Sequence, residues 1–414
     1  MIDFKRYILE NGLTVILHPD KSTPLVTVNV LYKVGSKNEQ PDKTGFAHLF
    51  EHLMFGGSKH IPDYDTPIQK AGGDNNAFTN SDLTNFYNVM PAENLETALW
   101  LESDRMLQLD INQKSLSIQK KVVVEEFKET SINEPYGDLW HQLSDLAFTT
   151  HPYRWPTIGL VPAHIEEAEL AYVEHFYNTY YKPNNAVLIV AGQYDDDKIK
   201  DQIERWFGGI ASGEIGVKPI PVEPPQEAFR TRTLHRKVPS DALYIAFHMP
   251  DRKHPDFMAY DILSDVLSGG RSARLYQNLL KGSELFSNVN AYITGTFDPG
   301  LFVIEARLLD NADLEKAKLL IWNELQILKE ELVQPEELQK VKNSLISSVA
   351  FSEVSITHKA INLAHYEMLG DVNDINKQEE EIDKVTVEDL IRIAKQTFRM
   401  ENCSEIIYLA EEEG

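Results

Sequence analysis

The pattern of apolar and polar positions predicts β-strands from the beginning of the chain. Residues 1–17 interrupt their apolar run with charged and turn residues, which is typical of a first β-hairpin. Further strands are predicted at 14–19, 27–35 and 185–194, where β-branched and apolar residues dominate. The first half of the chain is therefore expected to contain a β-sheet.

The second half returns to a similar order of elements. Strands are predicted at 232–238 and 242–250, and they precede a helix at 257–270 that ends at a glycine pair. Apolar residues spaced by three and four positions predict two more helices, at 312–332 and 335–350. This weak self-similarity predicts two copies of one α+β unit.

A linker is predicted between the halves, at residues 216–228. This segment contains five residues that break regular structure: Gly216, Pro219, Pro221, Pro224 and Pro225. We therefore expect a first domain at 1–215 and a second domain at 229–414.

Composition agrees with two globular domains. The chain has 414 residues, which is too many for a single core and suits two domains of about 200 residues. No run approaches the roughly 20 apolar residues of a membrane span, so no membrane partner is expected.

The single cysteine, Cys403, excludes an internal disulfide. Because residues 1–17 do not resemble a secretory signal, a cytoplasmic location is favoured, although cysteine-poor chains are also common in the periplasm.

The charge balance excludes one class of partner. There are 40 basic and 64 acidic side chains, giving a formal net charge of −24. Nucleic acids are bound by clustered Lys and Arg, so a nucleic-acid partner is not expected. The simplest role of the acidic excess is to keep the protein soluble.

The most informative motif lies in residues 45–58, where His48, Glu51 and His52 form the pattern H-x-x-E-H. Residues on an α-helix advance by about 100° each, so these three fall on one narrow face. Two imidazoles one turn apart can bind one metal ion, and a carboxylate beside them can act on a water molecule. The pattern is the inverted zincin signature.

The neighbouring residues favour a helix at the motif. Thr44 is the predicted N-cap, and Gly56-Gly57 is the predicted end. Four residues supply an apolar side: Phe46, Leu49, Leu53 and Met54. The alternative is a helix with two incidental histidines and a surface glutamate, because the motif fixes only a few positions.

A catalytic zinc site needs a third protein ligand, most simply a carboxylate. The segment 120–130 offers Glu125, Glu126 and Glu129 beside an apolar run. Spacing alone does not choose among these residues, and each could instead lie on a solvated helix face.

The chain resembles the insulinase/pitrilysin family of zinc metallopeptidases, which includes the mitochondrial processing peptidase. Besides H-x-x-E-H, the resemblance rests on residues 72–87, which match G-G-x-x-N-A-x-T-x-x-D-x-T over positions 72–84, and on segments 100–106 and 151–159. These motifs occur in the family's order, and the resemblance spans essentially the whole chain.

The resemblance implies a fold and a metal site. Each half is expected to be an antiparallel sheet covered by helices, the two domains being homologous copies produced by internal duplication. One Zn²⁺ per chain is expected in the first domain, bound by His48, His52 and Glu126. Glu51 is expected to be the catalytic base that takes a proton from water, not a zinc ligand.

The resemblance also implies a way of holding substrate. Asn76, Ala77, Phe78 and Thr79 match a family strand that pairs with the backbone of an extended peptide. Such β-augmentation contacts the main chain and tolerates many peptide sequences. The alternative is an ordinary strand without this role.

Two departures from the family pattern stand out. Gln119 occupies a position before the third ligand where the family often has a carboxylate, so it could retune the metal site without removing it. In the second half, Leu280 and Ser287 replace an Arg and a Tyr that contact substrate in competent members. Lys281 and Tyr292 are nearby but out of register.

The missing Arg-Tyr pair predicts a partner. The chain resembles the zinc-bearing subunit of heterodimers in which a homologous subunit supplies that pair. The predicted function is a zinc endopeptidase that hydrolyses peptides or unfolded segments inside a chamber formed by both subunits. The alternative is a core or peptide-binding subunit without catalysis.

Overall fold

A computed structural model describes residues 1–216 and 219–411 of the chain. They form two compact units. Unit 1 comprises residues 1–128, 155–220 and 350–377, and unit 2 comprises residues 129–154, 221–349 and 378–414, as far as these are described. Val217 and Lys218 of the predicted linker lie outside the described residues, and the domain boundaries at 215 and 229 stay a prediction.

Eleven strands are present in the described part of the chain. In order they are β1 (Lys5–Ile8), β2 (Thr14–Pro19), β3 (Leu25–Tyr32), β4 (Asp74–Thr79), β5 (Thr84–Pro91), β6 (Ala186–Gly192), β7 (Arg230–Arg236), β8 (Ala242–Met249), β9 (Phe286–Ile293), β10 (Gly300–Leu308) and β11 (Cys403–Ala410). The predicted opening hairpin is confirmed, because β1 and β2 pair antiparallel. The other predicted strands are confirmed as β3, β6, β7 and β8.

The described residues also contain fourteen α-helices. They are α1 (Phe46–Phe55), α2 (Asp65–Lys70), α3 (Leu95–Leu107), α4 (Gln113–Phe127), α5 (Leu139–Ala147), α6 (Ala163–Glu166), α7 (Leu170–Tyr180), α8 (Ile199–Phe207), α9 (Phe257–Ser268), α10 (Leu314–Glu330), α11 (Pro335–Ser352), α12 (Ile356–Leu369), α13 (Gln378–Lys384) and α14 (Val387–Thr397). The helix predicted at the motif is α1, and the three helices predicted in the second half are α9, α10 and α11. None of the helices in the described ranges is long and apolar enough to span a membrane.

The two sheets have matching topologies. The sheet of unit 1 has the order β1-β2-β6-β3-β5-β4, and that of unit 2 has the order β7-β11-β8-β10-β9. Strand by strand, β2 to β6 of unit 1 correspond to β7 to β11 of unit 2. This correspondence confirms the predicted α+β class and the duplication. The sheets are not purely antiparallel, since β2 pairs with β6 and β7 with β11 in parallel.

Each unit contains one helix from the opposite half of the chain. In unit 1, α12 packs on β3 and β6. Lys359 pairs with Asp20 at 2.8 Å, and Glu367 accepts two hydrogen bonds from Arg6 at 2.8 and 2.7 Å. In unit 2, α5 packs on β7, β8 and β11, with Asp145 at 3.0 Å from Arg232. Both sheets are therefore covered by a segment that is distant in sequence.

The core of unit 1 positions the motif helix. Val26, Val28 and Val30 alternate along β3 and are fully buried in the same cluster as the apolar side of α1, notably Phe46 and Leu49. The polar side of α1 is consequently turned away from the sheet core.

Candidate metal centre

Helix α1 begins differently from the prediction. Thr44 is not its N-cap; Gly45 is, and it makes no side-chain cap. The Thr44 hydroxyl instead accepts a hydrogen bond from the Leu160 amide at 2.7 Å and bonds to Nδ1 of His164 at 2.9 Å. The prediction was wrong because the Thr44 hydroxyl is hydrogen-bonded to a segment distant in sequence instead of to the first turn of α1.

Glu39 takes over the capping role. Its two carboxylate oxygens accept hydrogen bonds from the amides of Gly45 at 2.9 Å and Ala47 at 2.8 Å, in the first turn of α1. An anion is favoured there because the free amides carry partial positive charge. Burial nevertheless raises the pKa of Glu39 to about 8. Sequence reasoning missed this residue; an acidic residue shortly before a predicted helix was the available signal.

Only glycine fits at the start of α1. Gly45 has a φ of 88°, and a Cβ there would lie 2.8 Å from the carbonyl oxygen of Ile158. Nearby, the indole of Trp155 donates to the carbonyl of Ser36 at 3.0 Å. The segment 151–159, singled out by its motif, thus includes residues that support the beginning of α1.

His48, His52 and Glu126 meet on the polar side of α1. The two Nε2 atoms lie 3.3 Å apart. Glu126, on α4, places Oε1 3.6 Å from Nε2 of His48 and Oε2 3.2 Å from Nε2 of His52. In the described part of the chain this is the one group of three His, Cys, Asp or Glu residues with ligand atoms close enough to hold a metal ion.

The other two acidic candidates are occupied or exposed. Glu125 points to solvent and pairs with Lys128 at 2.7 Å. Glu129 lies beyond the end of α4, in the π-helical turn Lys128–Asn133, and is exposed. Of the three carboxylates left open by spacing, Glu126 alone belongs to the cluster.

The pKa shifts of His48 and Glu126 favour the protonation states that metal ligands need. Burial lowers the pKa of His48 to about 4, so this imidazole is neutral at neutral pH. The hydrogen bond from His52 holds the pKa of Glu126 below its usual value, so this carboxylate is ionised. Neutral imidazoles and an ionised carboxylate are the forms that bind metals.

Glu51 is adjacent to the cluster and has a different environment. It follows His48 on α1 by less than one turn, and its Oε2 accepts a hydrogen bond from the Thr79 hydroxyl at 2.6 Å. Burial raises the pKa of Glu51. A carboxylate with a raised pKa beside a metal site is suited to accept and release a proton.

The predicted substrate segment is strand β4, which forms an edge of the sheet. Exposure alternates along it: Asn76 and Phe78 are exposed, whereas Ala77 and Thr79 are half-buried. The strand therefore divides the four predicted residues between two faces. Of these four, Thr79 donates a side-chain hydrogen bond to Glu51.

A buried polar network lies under the segment after α1. Glu102 and Arg105, within the 100–106 motif, form a buried ion pair with Nε 2.8 Å from Oε2. Asp104 accepts hydrogen bonds from the hydroxyl of Ser58 and from the ring of His60. This motif therefore anchors the loop that follows α1.

The remaining predicted residues have other surroundings. Gln119 lies on α4 two turns before Glu126, half-buried. In unit 2, Leu280 ends a π-helical turn, and Ser287 on β9 donates to the carbonyl of Arg307 at 3.2 Å. Tyr292, also on β9, is partly buried against apolar residues of the sheet. The effect of Gln119 and a substitute role for Lys281 or Tyr292 stay predictions.

Fold and site together define a two-unit α+β protein with an H-x-x-E-H helix. A family model described as Insulinase (Peptidase family M16) matches residues 14–159, and one described as Peptidase M16 inactive domain matches residues 168–345. The two models cover most of the chain, and the chain belongs to peptidase family M16. His48, Glu51, His52 and Glu126 all lie in the first matched region.

Bacterial relatives match nearly the full length. The chain is 29% identical over 397 residues to the zinc protease PqqE of Helicobacter pylori, covering 94% of this chain and 89% of the relative. It is 27% identical to the uncharacterized zinc protease YmxG of Bacillus subtilis, covering 95% of each chain. These names associate the family with zinc and proteolysis.

Solved structures share the fold. A protease from Helicobacter pylori superimposes with a TM-score of 0.93 at 28% identity, covering 99% of this chain and 100% of that one. The periplasmic protease PqqL from Escherichia coli gives a TM-score of 0.82 at 17% identity and covers 100% of this chain but 48% of that chain. At that identity the likeness concerns the fold alone.

Proposed function

We propose that this protein is a zinc-dependent endopeptidase that hydrolyses peptides or unfolded segments. The observation that carries the proposal is the His48–His52–Glu126 cluster with Glu51 beside it on α1. The family membership and the names of the bacterial relatives support the same chemistry.

The donor atoms fit zinc. Zinc prefers tetrahedral coordination with ligand distances near 2.0–2.1 Å, which puts neighbouring ligand atoms about 3.3–3.4 Å apart. The two Nε2 atoms are 3.3 Å apart, and Oε2 of Glu126 is 3.2 Å from Nε2 of His52, while its other oxygen, Oε1, is 3.6 Å from Nε2 of His48. One ligand atom from each of the three residues lies within 4.8 Å of the other two. Two imidazoles and one carboxylate leave the fourth position of a catalytic site open. We therefore assign one Zn²⁺ per chain to these residues.

The protein's own residues supply the rest of the mechanism. When bound, zinc would act as a Lewis acid on water and on the peptide carbonyl. Glu51 takes the proton of the attacking water on one carboxylate oxygen and returns it to the leaving amine. Its raised pKa brings it closer to neutral pH, where such exchange is efficient.

Strand β4 is the proposed docking site for the substrate backbone. It is an edge strand, so its outer side has room for an added strand, and it ends at the residue that contacts Glu51. Asn76, Ala77, Phe78 and Thr79 are the proposed contacts. This mode would select extended peptides over folded proteins.

A homologous partner subunit is part of the proposal. Unit 2 has Leu280 and Ser287 where competent members of the family carry Arg and Tyr, so we propose that another chain supplies this pair and completes a chamber. The chain matches about half the length of the Escherichia coli PqqL chain, which supports assembly of two such chains.

The second candidate function is a subunit without catalysis. It is consistent with the description of the second matched model as an inactive domain.

The test compares two neighbouring glutamates. Glu126→Gln should lose zinc and all cleavage of a quenched peptide, because a neutral amide is a poor third ligand. Glu125→Gln, whose side chain faces solvent, is the matched control and should retain both. Metal analysis after dialysis and a peptide assay give the answer. Zinc loss for Glu125→Gln alone would refute the ligand assignment. Zinc binding without any turnover, even with a homologous subunit that carries the Arg-Tyr pair, would favour the non-catalytic candidate.

A further inference from the structure

We infer that the Thr79 hydroxyl is a positioning group that holds Glu51 in the orientation needed for proton transfer. The inference rests on the proposed function and deepens it, since it names how the base is held. Thr79 would act through Glu51 and not on the peptide carbonyl itself.

The contact is short and directional. The hydroxyl donates to Oε2 of Glu51 at 2.6 Å, within the usual range for a hydroxyl bonded to a carboxylate. Holding Oε2 restrains the position of the carboxylate and leaves Oε1 to take a proton. A catalytic group restrained in this way has fewer unproductive orientations.

The backbone around Thr79 holds the hydroxyl in place. Thr79 is the last residue of β4 and is paired with Thr84 of β5. The following turn is closed by the amide of Asn80, which donates to the carbonyl of Leu83 at 3.0 Å. Carbonyls of this turn also accept hydrogen bonds from the amides of Ser36 and Lys37, at 3.2 and 2.9 Å. Thr79 is thus attached to a rigid hairpin end.

The same residue faces the edge where a peptide would pair. Because the Asn80 amide points toward β5 and amide directions alternate, the amides of Asn75, Ala77 and Thr79 point to the outer edge. Side-chain oxygens of the preceding residues already accept from two of them, at 3.0 Å for Asn75 and 2.8 Å for Ala77. Thr79 therefore presents its amide to the peptide side while its side chain holds the base.

This arrangement separates positioning from binding. Loss of the hydroxyl should leave the main chain of β4, and hence peptide affinity, largely intact. It should free the Glu51 carboxylate and lower the rate of the chemical step. A purely structural threonine would instead affect folding or zinc binding.

The test uses the full chain with Thr79→Val, which removes the donor at nearly constant shape, and Thr79→Ser, which keeps it. Thr66→Val is the matched control, since Thr66 also donates to a carboxylate, that of Asp63, at an exposed place. We expect kcat to fall by about 10- to 100-fold in Thr79→Val with KM and zinc content unchanged. Thr79→Ser should recover most of the rate, and Thr66→Val should match the wild type.

Two further measurements decide whether the effect passes through Glu51. Thr79→Val should cost little in a Glu51→Gln background, because groups that act as a unit are not additive. Crystal structures should show one Glu51 rotamer in the wild type and in Thr79→Ser, and a displaced or divided one in Thr79→Val. Wild-type kcat in Thr79→Val, full additivity, or an unmoved Glu51 would overturn the inference. A wild type that stays inactive even with a homologous subunit carrying the Arg-Tyr pair, and whose Glu51 moves in Thr79→Val, would overturn the peptidase proposal and leave the positioning role standing.

Discussion

Units 1 and 2 share a strand order but differ in chemistry. In both sheets the same five strands occur in the same order, and a helix follows the third strand of unit 1 and its counterpart in unit 2. These helices, α1 and α9, each end at a glycine pair. Counted back from those pairs, the counterparts of His48 and His52 are Asp261 and Asp265.

The comparison shows that two units with the same topology can differ in function because of a few side chains. Asp261 and Asp265 are one turn apart, as the histidines are, and burial raises the pKa of Asp265 to about 6, with the charge of Asp261 adding to the effect. Two carboxylates suit zinc less well than imidazoles do. Among the described residues, no cluster of three ligands includes them. Both units have a helix at this place in the strand order, but α9 carries aspartates where α1 carries histidines. Within the described ranges, of these two pairs only the histidines of α1 belong to a candidate metal centre.

The largest expected effect is the loss of peptide hydrolysis when Glu51 on α1 is replaced, compared with a replacement at the counterpart position in α9. Glu51→Gln keeps size and hydrogen bonding but removes the base, so peptide hydrolysis should fall by a factor of about one hundred or more while zinc stays bound. Ser264→Ala changes the counterpart position in α9 and should leave the rate unchanged. Rate assays and metal analysis check both variants. Wild-type turnover by Glu51→Gln would contradict its role as the base.

The next prediction concerns the Arg-Tyr pair that the resemblance leads one to expect in unit 2 and that is replaced there. With Leu280 and Ser287 in place of Arg and Tyr, the chain alone should be a poor peptidase, since a flexible peptide is not held in front of the metal site. Adding a homologous subunit that carries the Arg-Tyr pair should raise the rate by about tenfold or more and form a mixed complex. Peptide assays and size-exclusion chromatography test this expectation. Full activity of the chain alone, unchanged by any partner, would contradict it.

The smallest effect is a pH-dependent change in stability in unit 2. Because the pKa of Asp265 is raised to about 6, the folded state binds its proton more tightly than the unfolded state, and stability is lost as pH rises from about 4 to about 6. Asp265→Asn should therefore raise the melting temperature by about 2–4 °C at pH 7 and by less near pH 4.

Asp310→Asn, at an exposed position, controls for general loss of charge. Thermal unfolding across pH checks both variants, and zinc content should be unaffected in either. A larger gain in acid than at neutral pH would contradict the proposed cause.

Local periodicity was sufficient for much of the fold. The strands β2, β3, β6 and β8 and the helices α1 and α9 lie where the apolar pattern predicted them, because alternation and three-to-four spacing are properties of single elements. The pairing of His48 with His52 was predictable for the same reason, since residues one turn apart share a helix face.

Contacts between distant segments were not predictable in this way. The spacing of Glu125, Glu126 and Glu129 did not choose a third residue, and only the resemblance to a known family favoured Glu126. The prediction of Thr44 as the N-cap was wrong because a hydroxyl can bond to any polar group that folding brings near it. The parallel pairs within the sheets and the packing of α5 and α12 on them likewise have no local signature.

The sequence by itself determined the H-x-x-E-H helix, the α+β class and the family, because these depend on neighbouring residues and ordered motifs. Tertiary structure alone decided that α4 places Glu126 beside the histidines, that Glu39 caps α1 and that Thr79 holds Glu51. The physical reason is that periodicity decides which face of an element is buried. Which elements meet across that face depends on how the whole chain buries its apolar surface and satisfies its polar groups.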